Sequence, residues 1–154
     1  MLARSMRARG LDRVLAVCYA LFAVGWLLSD LPKALGVSTA INRYYADAID
    51  PLFAQLPPLL DAILKVAGFV YGPCYLAVVV GLARDARWLA KVAVPLAVAM
   101  ELTTVAYLAG DLRSATPPKN LAAFLALNGP YAVAPLALLF RCARRPAHAR
   151  RPGR

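Results

Sequence analysis

Residues 92–109, VAVPLAVAMELTTVAYLA, run for eighteen positions with a single charge, Glu101, near the centre. At about 1.5 Å of rise per residue, such a run crosses the hydrocarbon of a bilayer as one helix. An acid inside it costs about 2.5–3.5 kcal/mol to insert, so Glu101 is expected to face protein or a cavity. The rest of the chain is built to the same scale. Of 154 residues, 61% are hydrophobic and only 17% charged, too few for the water-facing surface of a soluble domain. The expected fold is all-α: a four-transmembrane-helix bundle forming one membrane domain.

The first helix is expected over 14–28, after Arg4, Arg7, Arg9 and Arg13 and before Asp30-Leu31-Pro32. A signal peptide begins in the same way. No good small-x-small site follows, however, and Val17 is too bulky for the residue preceding a lipoprotein cysteine at Cys18, so a retained helix is expected. Residues 32–58 form a polar, aromatic connection. A short interfacial helix at 38–48 would hold Tyr44 and Tyr45 at headgroup level, and Asp50-Pro51 and Pro57-Pro58 would stop it. The second helix is expected over 59–83. It carries Asp61 and Lys65 at pairing distance, a Gly68-xxx-Gly72 step for close helix approach, and a kink at Pro73. A tight charged turn, Arg84-Asp85-Ala86-Arg87, leads into the third helix over 88–109, and the fourth is expected over 120–141. The domain organisation is then a basic N-terminus (1–12), a membrane domain (13–141) and a basic tail (142–154).

Thirteen of the eighteen basic residues fall on the side that holds both termini and the 84–91 turn. This asymmetry predicts cytoplasmic termini. It also explains the net charge of +10 without nucleic acid, because no basic stripe is interleaved with aromatics. Cys18, Cys74 and Cys142 have no metal-ligand spacing, and the one histidine, His148, lies in the tail. No metal or cofactor is expected. A bacterial inner membrane and the endoplasmic reticulum both suit such a chain.

Comparing depths along the four helices brings Asp30, Lys65, Glu101 with Thr104, and Asn128 into the outer part of the membrane. Trp26 lies one turn from Asp30. Tyr71, Tyr75, Tyr107 and Tyr131 are candidates for an aromatic lining. One reading is a Lys65–Glu101 ion pair that holds the bundle together. The other is a cavity with a charged anchor for a hydrophobic ligand bearing one polar head.

Five short motifs follow one another along the chain: Ser29-Asp30-Leu31, Asp50-Pro51-Leu52 followed by Pro57-Pro58, Tyr71-Gly72-Pro73, Thr103-Thr104, and Asn128-Gly129-Pro130-Tyr131 with Pro135. In their order and spacing they resemble the EXPERA superfamily, which holds the emopamil-binding protein (a sterol isomerase) and the sigma-two receptor. The resemblance implies a four-helix membrane fold whose cavity opens toward the bilayer and takes sterols or cationic amphiphiles. It carries the helix-one acid of the sigma-two receptor onto Asp30. The helix-two acid falls within 64–68, where this chain has no carboxylate and Lys65 is the ionisable residue; Glu101 is a candidate substitute. Where the family's isomerase offers its helix-one proton-transfer groups, this chain has Phe22 and Trp26, although Asn128 matches the enzyme's asparagine.

The expected function is therefore non-catalytic binding of a lipid or sterol-like molecule. Asp30 and Glu101 would anchor it, Asn128 and Thr104 would bond its head, Lys65 would balance one acid, and Trp26, Tyr71, Tyr107 and Tyr131 would contribute to the site. The alternatives are a sterol or terpenoid double-bond isomerase using Glu101 and Asp30, and a structural or partner-binding bundle, with a homodimer possible through the glycine step.

Overall fold

The computed structural model describes residues 2–144, with side chains from residue 10 onward. The side chains of Arg4, Arg7 and Arg9, and the tail from residue 145 with His148, lie outside the described residues. All elements among the described residues are helical. Four spans are long and apolar enough to cross a membrane: Gly10–Ala34, Pro58–Ala83, Leu89–Leu112 and Leu121–Ala143. The chain is a multi-pass integral membrane protein. Along it run α1 (Leu2–Gly25), a π-turn (Trp26–Asp30), α2 (Leu31–Ala34), α3 (Ala40–Ala48), α4 (Leu52–Gln55) and α5 (Pro58–Val66). A second π-turn (Ala67–Tyr71) then precedes α6 (Gly72–Ala83), α7 (Leu89–Leu112), α8 (Leu121–Asn128) and α9 (Pro130–Ala143).

The first span does not end at Asp30-Leu31-Pro32 as expected. It passes through the first π-turn and continues as α2, with Pro32 in the first turn, where a missing N–H does least harm. Each π-turn ends two residues before a proline, Pro32 or Pro73. Leu31 N–H bonds Trp26 O and Gly72 N–H bonds Ala67 O, each one residue further back than in an α-helix. The next amide in each case belongs to Pro32 or Pro73, which has no hydrogen to give. Gly68 O, stranded in this way, takes Trp26 Nε1 at 2.7 Å. Leu28 O, whose α-helical donor would be Pro32, takes Thr39 Oγ1 at 3.2 Å. The expected kink at Pro73 is thus a π-turn plugged by a tryptophan from another helix.

The Gly68–Gly72 step is filled within the chain. A Cβ on Gly72 would stand 2.0–2.2 Å from Trp26 ring atoms, and one on Gly68 would stand 2.5 Å from Ala34 Cβ. This surface is therefore already covered and is not open to a second copy.

The main core is aromatic. Phe22 stacks on Tyr131 at 4.2 Å between ring centres and also meets Tyr19 and Tyr75. A smaller core joins Ala46, Phe53, Leu60 and Leu64 beneath α3 and α4. Near the last turn of α9, Arg141 grips Asp12 of α1 with two bonds, 2.8 and 3.0 Å long. It also reaches Asp85 in the 84–88 turn at 3.1 Å. The Arg141 side chain is only 9% exposed, so removing it strands Asp12 in a poorly solvated place. Arg141→Met should lower stability by about 2–4 kcal/mol. Arg141→Lys should recover only part of this, because an ammonium cannot reproduce the two-pronged contact. Thermal unfolding in detergent measures both; equal melting temperatures for wild type and Arg141→Met would refute it.

Candidate functional site

A cavity of about 270 Å³ lies between the two π-turns and the α3, α7 and α8 segments. Its wall is mostly apolar and aromatic, with Leu60, Leu64, Met100 and Phe53 among the lining groups. The π-turns shape it. They carry Ser29, Asp30, Ala67 and Tyr71 to its edge, and a π-turn directs side chains in a way that a regular helix cannot.

Of the residues singled out from the sequence, Asp30, Tyr71, Tyr75, Thr104, Tyr107, Asn128 and Tyr131 line this one cavity. Three others do not. Lys65 is exposed and bonds Asp61 at 2.7 Å, the i,i+4 pairing open to it in the sequence, so the alternative Lys65–Glu101 pair does not form. The cavity side of α5 and the following π-turn carries Leu60, Ile63, Leu64 and Ala67, and at ~100° per residue Lys65 points away from that stripe. Glu101 is displaced for the same reason. Met100, Thr103, Thr104 and Tyr107 form the lining stripe of α7, whereas the Glu101 carboxyl lies against the Leu136 backbone of α9. Its Oε1 is buried without a partner. Trp26 is turned toward Gly68 and Gly72 rather than the cavity.

Hydrogen bonding around the cavity has a direction. Tyr107 donates its hydroxyl proton to Asp50 Oδ2. In the 3.1 Å contact between Tyr45 and Tyr107, Tyr45 is therefore the donor. Burial holds the Tyr45 hydroxyl up at about 12, against the pull of its bonds to Tyr107 and Asn128, so its proton stays on. Asn128 Nδ2 donates to Tyr45 Oη and to Phe124 O, both at 2.8 Å. Both amide hydrogens are then used, and the Asn128 carbonyl oxygen remains as an acceptor. On the other wall, Thr103 Oγ1 directs its proton to the Ala99 and Met100 carbonyls, so Tyr71 donates to Thr103 at 3.1 Å. Asp30 has no hydrogen-bond or ion-pair partner among the described residues.

Tyr45 and Asp50 were not among the sequence candidates. Tyr45 was expected at headgroup level, but only Tyr44 is largely exposed. The buried side of α3 carries Asn42 and Ala46, with Ile49 following, and Tyr45 lies beside that stripe. Asn42 ties the helix down: Ser29 Oγ donates to its Oδ1 at 2.7 Å.

A family model, EXPERA (expanded EBP superfamily), matches residues 37–142, more than half of the chain. The chain belongs to the EXPERA family. No curated protein and no solved structure matches it. In this EXPERA chain Asp50 of the DPL segment is a buried hydrogen-bonding hub, since it accepts from Tyr107 and also takes Leu52 N–H at 2.9 Å. The family includes sterol-binding and isomerase members.

Proposed function

We propose that this EXPERA protein binds, without chemical turnover, a lipidic or sterol-like molecule whose polar head is cationic or rich in hydrogen-bond donors. The observation that carries this reading is Asp30: a carboxyl on the wall of an apolar, aromatic cavity with no protein partner. The hydrogen-bond directions support it. The protons of Tyr45, Tyr107, Tyr71 and Asn128 are committed inside the protein, so these four groups have only oxygen lone pairs left to offer, while the Tyr75, Tyr131 and Thr104 hydroxyls of the same lining can still donate. An ammonium or a set of N–H and O–H donors would complete such a wall. Tyr71, Tyr75 and Tyr131 line the same cavity, and an aromatic ring near a cation adds to its attraction. In this reading Asp30 is the anchor and Asn128 the second acceptor, with Thr104 beside them, and the basic termini are cytoplasmic.

Double-bond isomerisation fits less well. It needs a positioned acid and a positioned base, and Asp30 is the one carboxyl lining the cavity among the described residues.

The experiment is mass spectrometry of molecules retained by protein purified in mild detergent, followed by titration with a long-chain alkyl amine and the alcohol of the same chain. The amine should bind at least ~10-fold more tightly, about 1.4 kcal/mol. Equal affinity for the pair, together with no retained lipid, would remove the proposal. Turnover of a sterol panel would replace it with the isomerase reading.

A further inference from the structure

Asp50 and Asp111 are both fully buried. Asp50 accepts from Leu52 N–H and from Tyr107. Asp111 lies one turn beyond Tyr107 on the same side of α7, and its carboxyl is within hydrogen-bonding reach of Asp50. Neither Asp111 oxygen meets a donor, and no cation pairs with either acid among the described residues. The titratable groups facing the pair are Tyr45 from α3 and Tyr107 from α7. Lys119 is engaged elsewhere, its ammonium on Asp47 O and its amide on Ile49 O.

Two adjacent carboxyls buried without a countercharge do not both ionise. One proton between them resolves the site, because it makes Asp111 a donor to Asp50, whose oxygens already accept from two other groups. We infer that Asp50 and Asp111 share a single proton, and that this carboxyl pair latches residues 40–55 onto the end of α7. Those residues supply Ile41, Tyr45 and Phe53 to the cavity wall, so the latch governs access to the cavity. Loss of the shared proton to solvent places two like charges in a buried site, and the segment opens. The inference does not depend on which ligand the cavity takes.

Hydrogen–deuterium exchange of peptides covering 40–55, in protein reconstituted in nanodiscs, tests it. Wild type and Asp111→Asn are compared at each pH, so that the intrinsic exchange rate cancels. In the wild type, opening should increase about tenfold per pH unit, beyond the intrinsic change, over the range in which opening releases one proton. Asp111→Asn keeps an N–H donor for Asp50, so its opening should not change with pH. A parallel rise in both proteins would overturn the latch. So would protection that follows added sodium or calcium rather than pH, which would assign the two acids to a bound cation. If Asp111→Asn does not fold, Asp50→Asn places the amide donor on the other side of the pair and is judged by the same outcomes. In the wild type alone, the infrared band of a protonated carboxyl should disappear as residues 40–55 open; its absence at the pH of full protection would refute the shared proton.

Discussion

Gly72→Ala should lower the stability of the native fold by about 1–5 kcal/mol, although alanine is the better helix former. The added methyl would stand 2.0–2.2 Å from Trp26 ring atoms. These belong to a rigid fused ring that cannot bend aside, and forced overpacking typically costs ~1–3 kcal/mol. Trp26 cannot leave freely, because its Nε1 is the donor for Gly68 O, which the π-turn and Pro73 leave without an amide. Displacing the ring strands that carbonyl at a further cost of ~1–3 kcal/mol. Alanine's propensity advantage of ~1 kcal/mol does not offset the two losses, and a native stability of ~5–15 kcal/mol is little margin. Thermal unfolding in detergent, with exchange protection of the second span, measures the effect. Trp26→Phe separates the two terms, since it removes the N–H while keeping a flat ring against Gly72. An unchanged melting temperature for Gly72→Ala would refute the account.

The same substitution should also disturb the cavity. Trp26 and Asp30 open and close one π-turn, so a push on the indole moves the carboxylate.

The four spans were legible in the sequence because length and hydropathy decide them almost alone. The family was legible from the order of short motifs around prolines, which hold a backbone geometry wherever they occur. Placement around each helix was not. Lys65, Glu101 and Asn128 share a depth, but depth says nothing of azimuth, and the π-turns shift the phase of everything beyond them. A heptad-style count from Met100 through Thr103, Thr104 and Tyr107 would have put Glu101 off the lining stripe. The hub at Asp50 was hidden for another reason: next to Pro51 an aspartate is already explained as a chain-breaking turn. Its real partners are Tyr107 and Asp111 on α7, some sixty residues away in sequence. Asp111 sits beyond the expected end of the third helix at residue 109, where a charge looks like ordinary loop chemistry.

Asp30→Asn should separate the binding reading from a merely structural one. In the proposed complex the carboxylate faces a ligand ammonium inside an apolar cavity. Truncating one partner of such a pair costs about 2–5 kcal/mol, so affinity for the alkyl amine should fall by roughly 30-fold or more. The alcohol of the same chain should bind the variant about as well as the wild type, since an amide still offers an oxygen and adds a donor. The empty protein should gain stability or stay unchanged, because Asp30 forms no bond that the substitution breaks and an unpaired carboxyl in a membrane cavity is itself a cost. Titration of both probes against both proteins closes a double-mutant cycle between the residue and the ligand's charge. A coupling near zero would show that Asp30 does not touch the head. A large drop in melting temperature would show instead that the carboxylate holds the fold. Asn128→Leu then locates the second contact. It removes the acceptor and also leaves the Tyr45 oxygen without its N–H, so it should weaken amine and alcohol together. Loss of charge discrimination at residue 30, set against loss of both heads at residue 128, is a pattern that neither an isolated ion pair nor a passive packing cavity produces.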